Sequence, residues 1–337
     1  MNEQQSLMEK RAEARQAILA LEHKTPPAII LNLFGRWFPK SITKQNLFYW
    51  ITQIALIHGA FILPGLLLSL ALGEMEKWSG LSISWFAAIE LVIFGLIQAH
   101  VLFRWAFHEL SNHTVHKITN LDDLAALVSF CKSSASSMYA FLLVGGILWP
   151  VWTFFALTEF PGVGLFYMVI LTGILMGVSL QVVFWVITLA NHLKGLQYEL
   201  NTFMPANSEV VTRLSNMLNK TVYLTGSFFI VVTLLISSGL LGAQVNRTQG
   251  VPITLLGWTL IIIQFLFNRS AINGIVDRER WSNLNKLQLQ MNTIQAQEDL
   301  SEKNVSERLL RLADLHDRIR IDRSGGFDFK SLLSLFS

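Results

Sequence analysis

Cysteine is almost absent from this chain of 337 residues, which contains only Cys131. A single thiol cannot close an internal disulfide or supply a cysteine-based zinc site. The chain also lacks a P-loop, a GxGxxG fingerprint, a GxSxG nucleophile elbow and a pair of aspartates within its apolar stretches. These motifs are the common signatures of nucleotide-dependent enzymes and serine hydrolases, so their absence argues against both classes of enzyme. We therefore expect neither an enzymatic activity nor a cofactor.

Charge is also scarce, because Asp, Glu, Lys and Arg make up 15% of the chain while hydrophobic residues make up 52%. The net charge of +3 does not by itself indicate a nucleic-acid partner, since membrane proteins place Lys and Arg on their cytosolic flanks. No basic run with interleaved aromatic residues is present. We expect a lipid bilayer, and no nucleic acid, among the partners.

Six long apolar stretches dominate the rest of the sequence. A spanning helix needs roughly 20 mostly apolar residues, because the hydrocarbon core of a bilayer is about 30 Å thick and a helix rises about 1.5 Å per residue. Backbone groups within lipid find no water, so such segments must be helical. The sequence thus predicts an all-α, polytopic membrane protein with spans at 47–73, 82–107, 138–158, 163–190, 221–245 and 251–268.

The segments between the spans differ in their basic content. The short loops 74–81, 159–162 and 246–250 contain only Lys77 and Arg247 as basic residues, whereas the other segments are rich in Lys and Arg. The positive-inside rule therefore places both termini in the cytosol. The N-terminal arm lacks an apolar leader, so we expect the first span to act as the insertion signal. No organelle signal is visible, which favours a bacterial inner membrane.

The spans group into three hairpins, joined by cytosolic connectors at 108–137 and 191–220. Both connectors contain helix-like apolar spacing, so we expect helices to project below the membrane. The hairpins resemble weak internal repeats. Equally spaced lysines precede the three hairpins: Lys44, Lys132 and Lys220. Equally spaced glutamines recur in the second helices: Gln98, Gln181 and Gln264. Coincidence in apolar, low-information sequence is the alternative to a true repeat.

Two polar regions flank the spanning domain 47–268. Residues 1–46 predict a cytosolic helix followed by an interfacial aromatic segment, and residues 269–337 predict a helical tail. Apolar positions in the tail repeat at intervals of three and four: Leu284, Leu287, Met291 and Ile294, then Val305, Leu309, Leu312, His316 and Ile319. This spacing is typical of a short coiled coil or helical bundle. We expect the tail to assemble a homo-oligomer or to bind a cytosolic protein.

Ionisable residues are rare in the predicted spans, and each is a functional hypothesis because a bare charge in lipid is costly. Glu90 lies about 12 Å below the outer end of the second span. His58 lies near the middle of the first span, and Arg104 is too far along the second helix to pair with Glu90. These residues are predicted to line a transport path with three glutamines: Gln98, Gln181 and Gln264. Structural hydrogen bonds between helices are the alternative.

The densest polar segment is HELSNHTVH at 108–116. On an α-helix, Glu109, His113 and His116 share one narrow stripe. Imidazole and carboxylate groups at that spacing suit zinc or iron, which makes this segment a candidate metal site. The alternative interpretation is that this segment is simply the solvent-exposed, cytosolic end of a helix.

The sequence supports three functional hypotheses. The first is a non-enzymatic, oligomeric ion channel or transport-like protein. The second is a membrane-anchored scaffold, or an effector that disrupts the membrane, acting through the cytosolic tail. The third is a membrane metalloenzyme that uses Glu109, His113 and His116.

Overall fold

The computed structural model describes residues 3–25, 27–29, 47–76, 83–156, 162–202, 204–238, 251–298 and 302–321. Within these ranges the chain is helical without strands, which confirms the all-α part of the predicted fold class. The only β-type pairing in this part of the chain is an isolated bridge between Ile118 and Tyr198.

Long helices account for most of these ranges: α1 (Glu3–Glu22), α2 (Leu47–Ala71), α3 (Ile83–Glu109), α4 (Leu121–Ala156), α5 (Val163–Gly195), α6 (Glu209–Ser237), α7 (Val251–Gln297) and α8 (Lys303–Ile321). A π-helix at Leu110–Thr114 and a 3-10 turn at Val115–Lys117 follow α3. A second 3-10 turn, Pro205–Asn207, precedes α6.

The helices do not stop at the predicted membrane boundaries. α4 begins at Leu121 and α6 begins at Glu209, both within predicted connectors, and each continues into an apolar stretch. α5 and α7 leave their apolar stretches at the opposite end and continue as helix to Gly195 and Gln297. Much of both connectors is therefore helical.

Polar residues set the start of α4. The side chain of Asn120 accepts a hydrogen bond from the backbone N–H of Asp122 at 3.0 Å, so it satisfies a donor that the first turn leaves open. Asp122 and Asp123 place negative charge in that first turn, where the helix dipole favours it. The helix therefore begins within the connector, well before the apolar stretch.

Two stretches among the described residues are long and apolar enough to cross a membrane by length and composition. They are Glu209–Ser237, which is α6, and Thr254–Gln297, which lies within α7. This finding gives partial support to the predicted membrane association. The six-span topology and the orientation of the termini stay predictions.

The largest apolar core forms where α3 and α5 meet the connectors. Trp185 on α5 packs against Phe103 and Phe107 on α3, with ring centroids 4.8 and 5.7 Å apart. Such aromatic pairs bury large areas and prefer tilted or edge-to-face contacts. Ile18 and Leu21 of α1 are buried in the same core. The N-terminal helix is thus an integral part of the fold.

The two connectors bind each other across this core. The backbone N–H of Thr119 donates to the carbonyl of Gln197 at 3.1 Å, and the N–H of Glu199 donates to the carbonyl of Lys117 at 2.8 Å. Asp123 accepts the backbone N–H of Gln197 at 2.8 Å. These bonds fix the C-terminal end of α3 relative to the C-terminal end of α5.

Arg278 joins α7 to the end of α5. Its guanidinium donates to the carbonyls of Gly195 at 3.0 Å and Leu196 at 3.3 Å, and also to the carbonyl of Lys194. The last carbonyls of a helix have no partner within the helix, so this contact satisfies the C-terminal end of α5. It also holds the polar half of α7 against the core.

The two apolar runs of the tail pack against one another. Arg280 on α7 donates to the carbonyls of Ile319 and Arg320 at the end of α8. Arg308, near the start of α8, contacts Glu298 beyond the end of α7 at 3.4 Å. α8 therefore runs antiparallel to α7 as a helical hairpin within one chain. Four predicted seam residues are buried: Leu284, Ile294, Val305 and Ile319.

Candidate functional site

Two of the ionisable residues within the predicted spans, His58 and Glu90, contact each other. Nε2 of His58 on α2 lies 2.6 Å from Oε1 of Glu90 on α3. The His58 side chain is 23% exposed and the Glu90 side chain is 62% exposed. Hydrogen bonding to a partner offsets part of the cost of removing such groups from water. Because Glu90 is mostly uncovered, the pair is accessible from outside the helix bundle.

Two of the predicted glutamines hydrogen-bond to the same helix, α6. Nε2 of Gln98 donates to Oγ of Ser227 at 2.7 Å, and Nε2 of Gln264 donates to Oγ1 of Thr221 at 3.2 Å. Ser227 and Thr221 are six residues apart, which places them about 120° apart around a helix. These glutamines therefore bond between helices in different directions. Gln181 is buried at 2% exposure, and a single polar ring of all three stays a prediction.

A second buried polar residue lies next to Gln264 and was missed by sequence reasoning. Asn268, one turn further along α7, donates from Nδ2 to the carbonyl of Leu218 at 2.9 Å. The hydroxyl of Thr221 donates to the same carbonyl at 2.6 Å. Residues four apart share one helix face. The spacing of Gln264 and Asn268 could therefore have predicted that both side chains face the same neighbouring helix.

Gln98 also lines an open crevice between α3, α5 and α6. The crevice is mostly apolar, with Gln98 and Thr225 as its polar side chains. The complete lining is Gly95, Gln98, Ala99, Leu102, Val182, Val183, Leu224, Thr225, Phe228 and Phe229. This surface suits an apolar group better than a hydrated ion.

Arg104 has a partner away from the other predicted path residues. Its Nε lies 3.0 Å from Oε1 of Glu22, at the end of α1. The Arg104 side chain is 65% exposed, whereas that of Glu22 is 15% exposed. The contact ties α1 to α3 at the predicted cytosolic end of the span. Within the structure, Arg104 thus acts as a tether between these helices.

The candidate metal segment is not a regular α-helix. Leu110–Thr114 form a π-helix and Val115–Lys117 a 3-10 turn, so the residues after Glu109 depart from 100° steps. Glu109 instead lies 3.7 Å from Arg213. In the ranges that the structure covers, no group of three or more His, Cys, Asp or Glu side chains is arranged to hold a metal ion.

Positive charges from α1 lie near His116. Burial lowers the pKa of His116, and the charges of Arg15, Arg11 and His113 lower that pKa further. Repulsion between these positive charges and a divalent cation opposes binding of the cation. The positive charges near His116 therefore do not favour a divalent cation there.

Comparison with protein-family models, with curated proteins and with solved structures gave no match to this chain.

Proposed function

We propose that this chain is an integral membrane protein of six spanning helices that works as an oligomeric ion channel or transport-like protein. The apolar character of α6 and α7 supports membrane insertion. Large aliphatic side chains of the predicted spans are also exposed, by 57% at Leu67, 62% at Leu234 and 63% at Leu255. Such a surface is unfavourable in water and favourable against lipid.

The observation that carries the proposal is the His58–Glu90 contact. An ionisable pair among apolar helices is costly, and such residues most often mark an ion path or a proton relay. Histidine is the side chain that changes protonation near physiological pH, and a carboxylate 2.6 Å away accepts its proton in a hydrogen bond. A proton or a small cation is therefore the solute that this pair suits.

The exposure of Glu90 supports an oligomer. A carboxylate that is 62% exposed on one chain would face hydrocarbon in a monomer, whereas a neighbouring subunit or a water path would cover it. We place both termini in the cytosol of a bacterial inner membrane, because the basic segments lie at that end of the spans. The tail hairpin supplies a second contact for subunits or for a cytosolic partner.

Ion flux in proteoliposomes tests this proposal. We expect Glu90→Gln and His58→Gln each to lower proton or cation flux at least tenfold. Glu307→Gln, the same chemical change at an exposed tail position, is expected to leave flux unchanged. Flux that is equal in all of these variants, or absent from the wild-type protein, would show that the pair is not on a conduction path.

The second candidate function is a membrane-anchored scaffold or membrane-disrupting effector that acts through its tail. The hairpin of α7 and α8 exposes three large side chains: Trp281 at 62%, Leu289 at 66% and Leu310 at 68%. Truncation after residue 285 removes most of this hairpin but keeps Arg278 and the core residues before it. A channel retains flux after this truncation, whereas a scaffold loses its partner and its cellular effect.

A further inference from the structure

A group of basic residues lies where α1 meets the turn after α3. We call Arg11, Arg15, His113, His116 and Lys117 the basic cluster. Arg11 donates from Nε and Nη2 to the carbonyl of Ile118 at 3.2 and 2.7 Å, which holds α1 against the connector.

Arg15 adds a second contact between α1 and the turn. Its Nε donates to Oδ1 of Asn112 at 3.1 Å, and no other side-chain nitrogen of Arg15 has a hydrogen bond within the part of the chain that the structure describes. The two terminal nitrogens of the guanidinium are therefore available to an external acceptor. Their planar arrangement matches two oxygens of one phosphate group.

The cluster lacks the counter-charges that neighbouring basic residues have. Across the described ranges, no carboxylate lies within 4 Å of a charged nitrogen of Arg11, Arg15 or Lys117, and the two arginines bind neutral acceptors. Other cations of the same region are paired: Lys10 with Glu13 at 2.8 Å, Arg104 with Glu22 at 3.0 Å, and Arg213 with Glu209 at 2.8 Å. The cluster therefore carries uncompensated positive charge.

Two carboxylates at the edge of the cluster do not cancel this charge. Glu209 lies close enough to Lys117 and His113 for both to lower its pKa, but its first partner is Arg213. Glu109 shares the same Arg213 at 3.7 Å. Two carboxylates and one guanidinium leave one net negative charge at the edge of the cluster, against three permanent positive charges from Arg11, Arg15 and Lys117.

We infer that the basic cluster binds a phosphate-bearing anion. Several Lys and Arg side chains that converge without carboxylate partners are the usual recognition element for phosphate. The cluster follows the end of the second predicted span, at Phe107, by only a few residues. In the six-span topology of the proposed function, on which this placement rests, that position is the depth of lipid headgroups, so an anionic phospholipid is one source of the phosphate and a soluble phosphate compound is the other.

The test uses the full chain, purified in an uncharged detergent, with Arg15→Gln and Lys117→Gln combined in one variant. Glutamine keeps a donor for Asn112, and both changes spare the Arg11 contact with Ile118. Lys10→Gln is the control on the same helix as Arg15, and it removes one positive charge where the double variant removes two. Native mass spectrometry measures retention of phosphatidylglycerol against phosphatidylcholine, and a thermal-shift titration measures affinity for inorganic pyrophosphate.

We expect the wild-type protein and Lys10→Gln to bind one of these anions, and the double variant to bind it at least tenfold more weakly. Retention of phosphatidylglycerol alone identifies a lipid as the source. Pyrophosphate binding without lipid retention identifies a soluble ligand. The inference is overturned if the wild-type protein binds neither anion, if the double variant binds as tightly as the wild type, or if the control weakens binding equally.

Discussion

A single methyl group at Gly145 tests a backbone contact between α4 and α5. A Cβ atom at this position of α4 would lie 2.3 Å from the carbonyl oxygen of Gly173 and 2.8 Å from Cα of Gly177, both on α5. Even weak C–H···O contacts keep carbon and oxygen about 3.3 Å apart. The two helices would therefore have to separate by about 1 Å, because the obstructing atoms are backbone atoms that cannot rotate away.

The expected cost follows from this displacement. Overpacking of a well-packed site costs about 1 to 3 kcal/mol, so Gly145→Ala should lower the free energy of unfolding by about that amount. Gly226→Ala on α6 is the matched control, because a Cβ there has no heavy atom within 4 Å. That change should raise stability by about 0.5 to 1 kcal/mol, since alanine loses less backbone entropy in a helix. The two variants should differ at least tenfold in unfolding constant.

Intrinsic fluorescence of the 10 tryptophans can follow the unfolding of both variants in the same detergent. We expect the midpoint of Gly145→Ala to lie below that of the wild type and the midpoint of Gly226→Ala to lie at or above it. If Gly145→Ala is as stable as the wild type, α4 and α5 are not in backbone contact at this glycine. If both variants lose the same stability, the effect is a general response to an added methyl group.

Three further perturbations probe other contacts. Arg278→Ala should lower the free energy of unfolding by about 1 to 2 kcal/mol, measured by thermal unfolding, because carbonyls at the end of α5 lose a charged donor. Burial lowers the pKa of both His116 and His192 below the ordinary value of 6.5, so the unfolded chain binds protons first. Stability should then fall as the pH drops below about 6.5, and replacing both histidines with glutamine should flatten this dependence. Gln264→Met should cost about 0.6 kcal/mol through the lost bond to Thr221, with a much larger loss contradicting this account.

Apolar length predicted the helices well, because 20 or more apolar residues in succession have few other stable forms. The ends of those helices were harder to predict. Leu121 and Glu209 begin α4 and α6 inside predicted connectors. The Asn120 side chain caps the first turn of α4, and buried residues such as Val210 and Leu214 hold the first turns of α6 in the core. Hydropathy indicates whether a segment lies in an apolar or an aqueous environment. The end of a helix is instead decided by its backbone hydrogen bonds.

The candidate site was predicted residue by residue, but its pairings were not. His58 and Glu90 were each identified as costly residues in an apolar stretch, and no local rule joins residues that are 32 positions apart on different helices. The equal spacing of the three glutamines likewise identified them in the sequence, whereas no sequence pattern identified their partners Ser227 and Thr221. Small hydroxyl side chains are common in apolar helices, so their role appears only when the opposite helix is in place.

The segment 108–116 shows that tertiary structure decides whether a polar segment suits a cation or an anion. Its sequence spacing suits a metal ion only if Glu109, His113 and His116 project from one regular α-helix, and the π-helix at Leu110–Thr114 removes that condition. α1, about a hundred residues earlier in the chain, then brings two arginines to the same place. In the proposed site, the permanent charges of Arg11, Arg15 and Lys117 favour phosphate, whereas carboxylates brought to the same place would favour a cation.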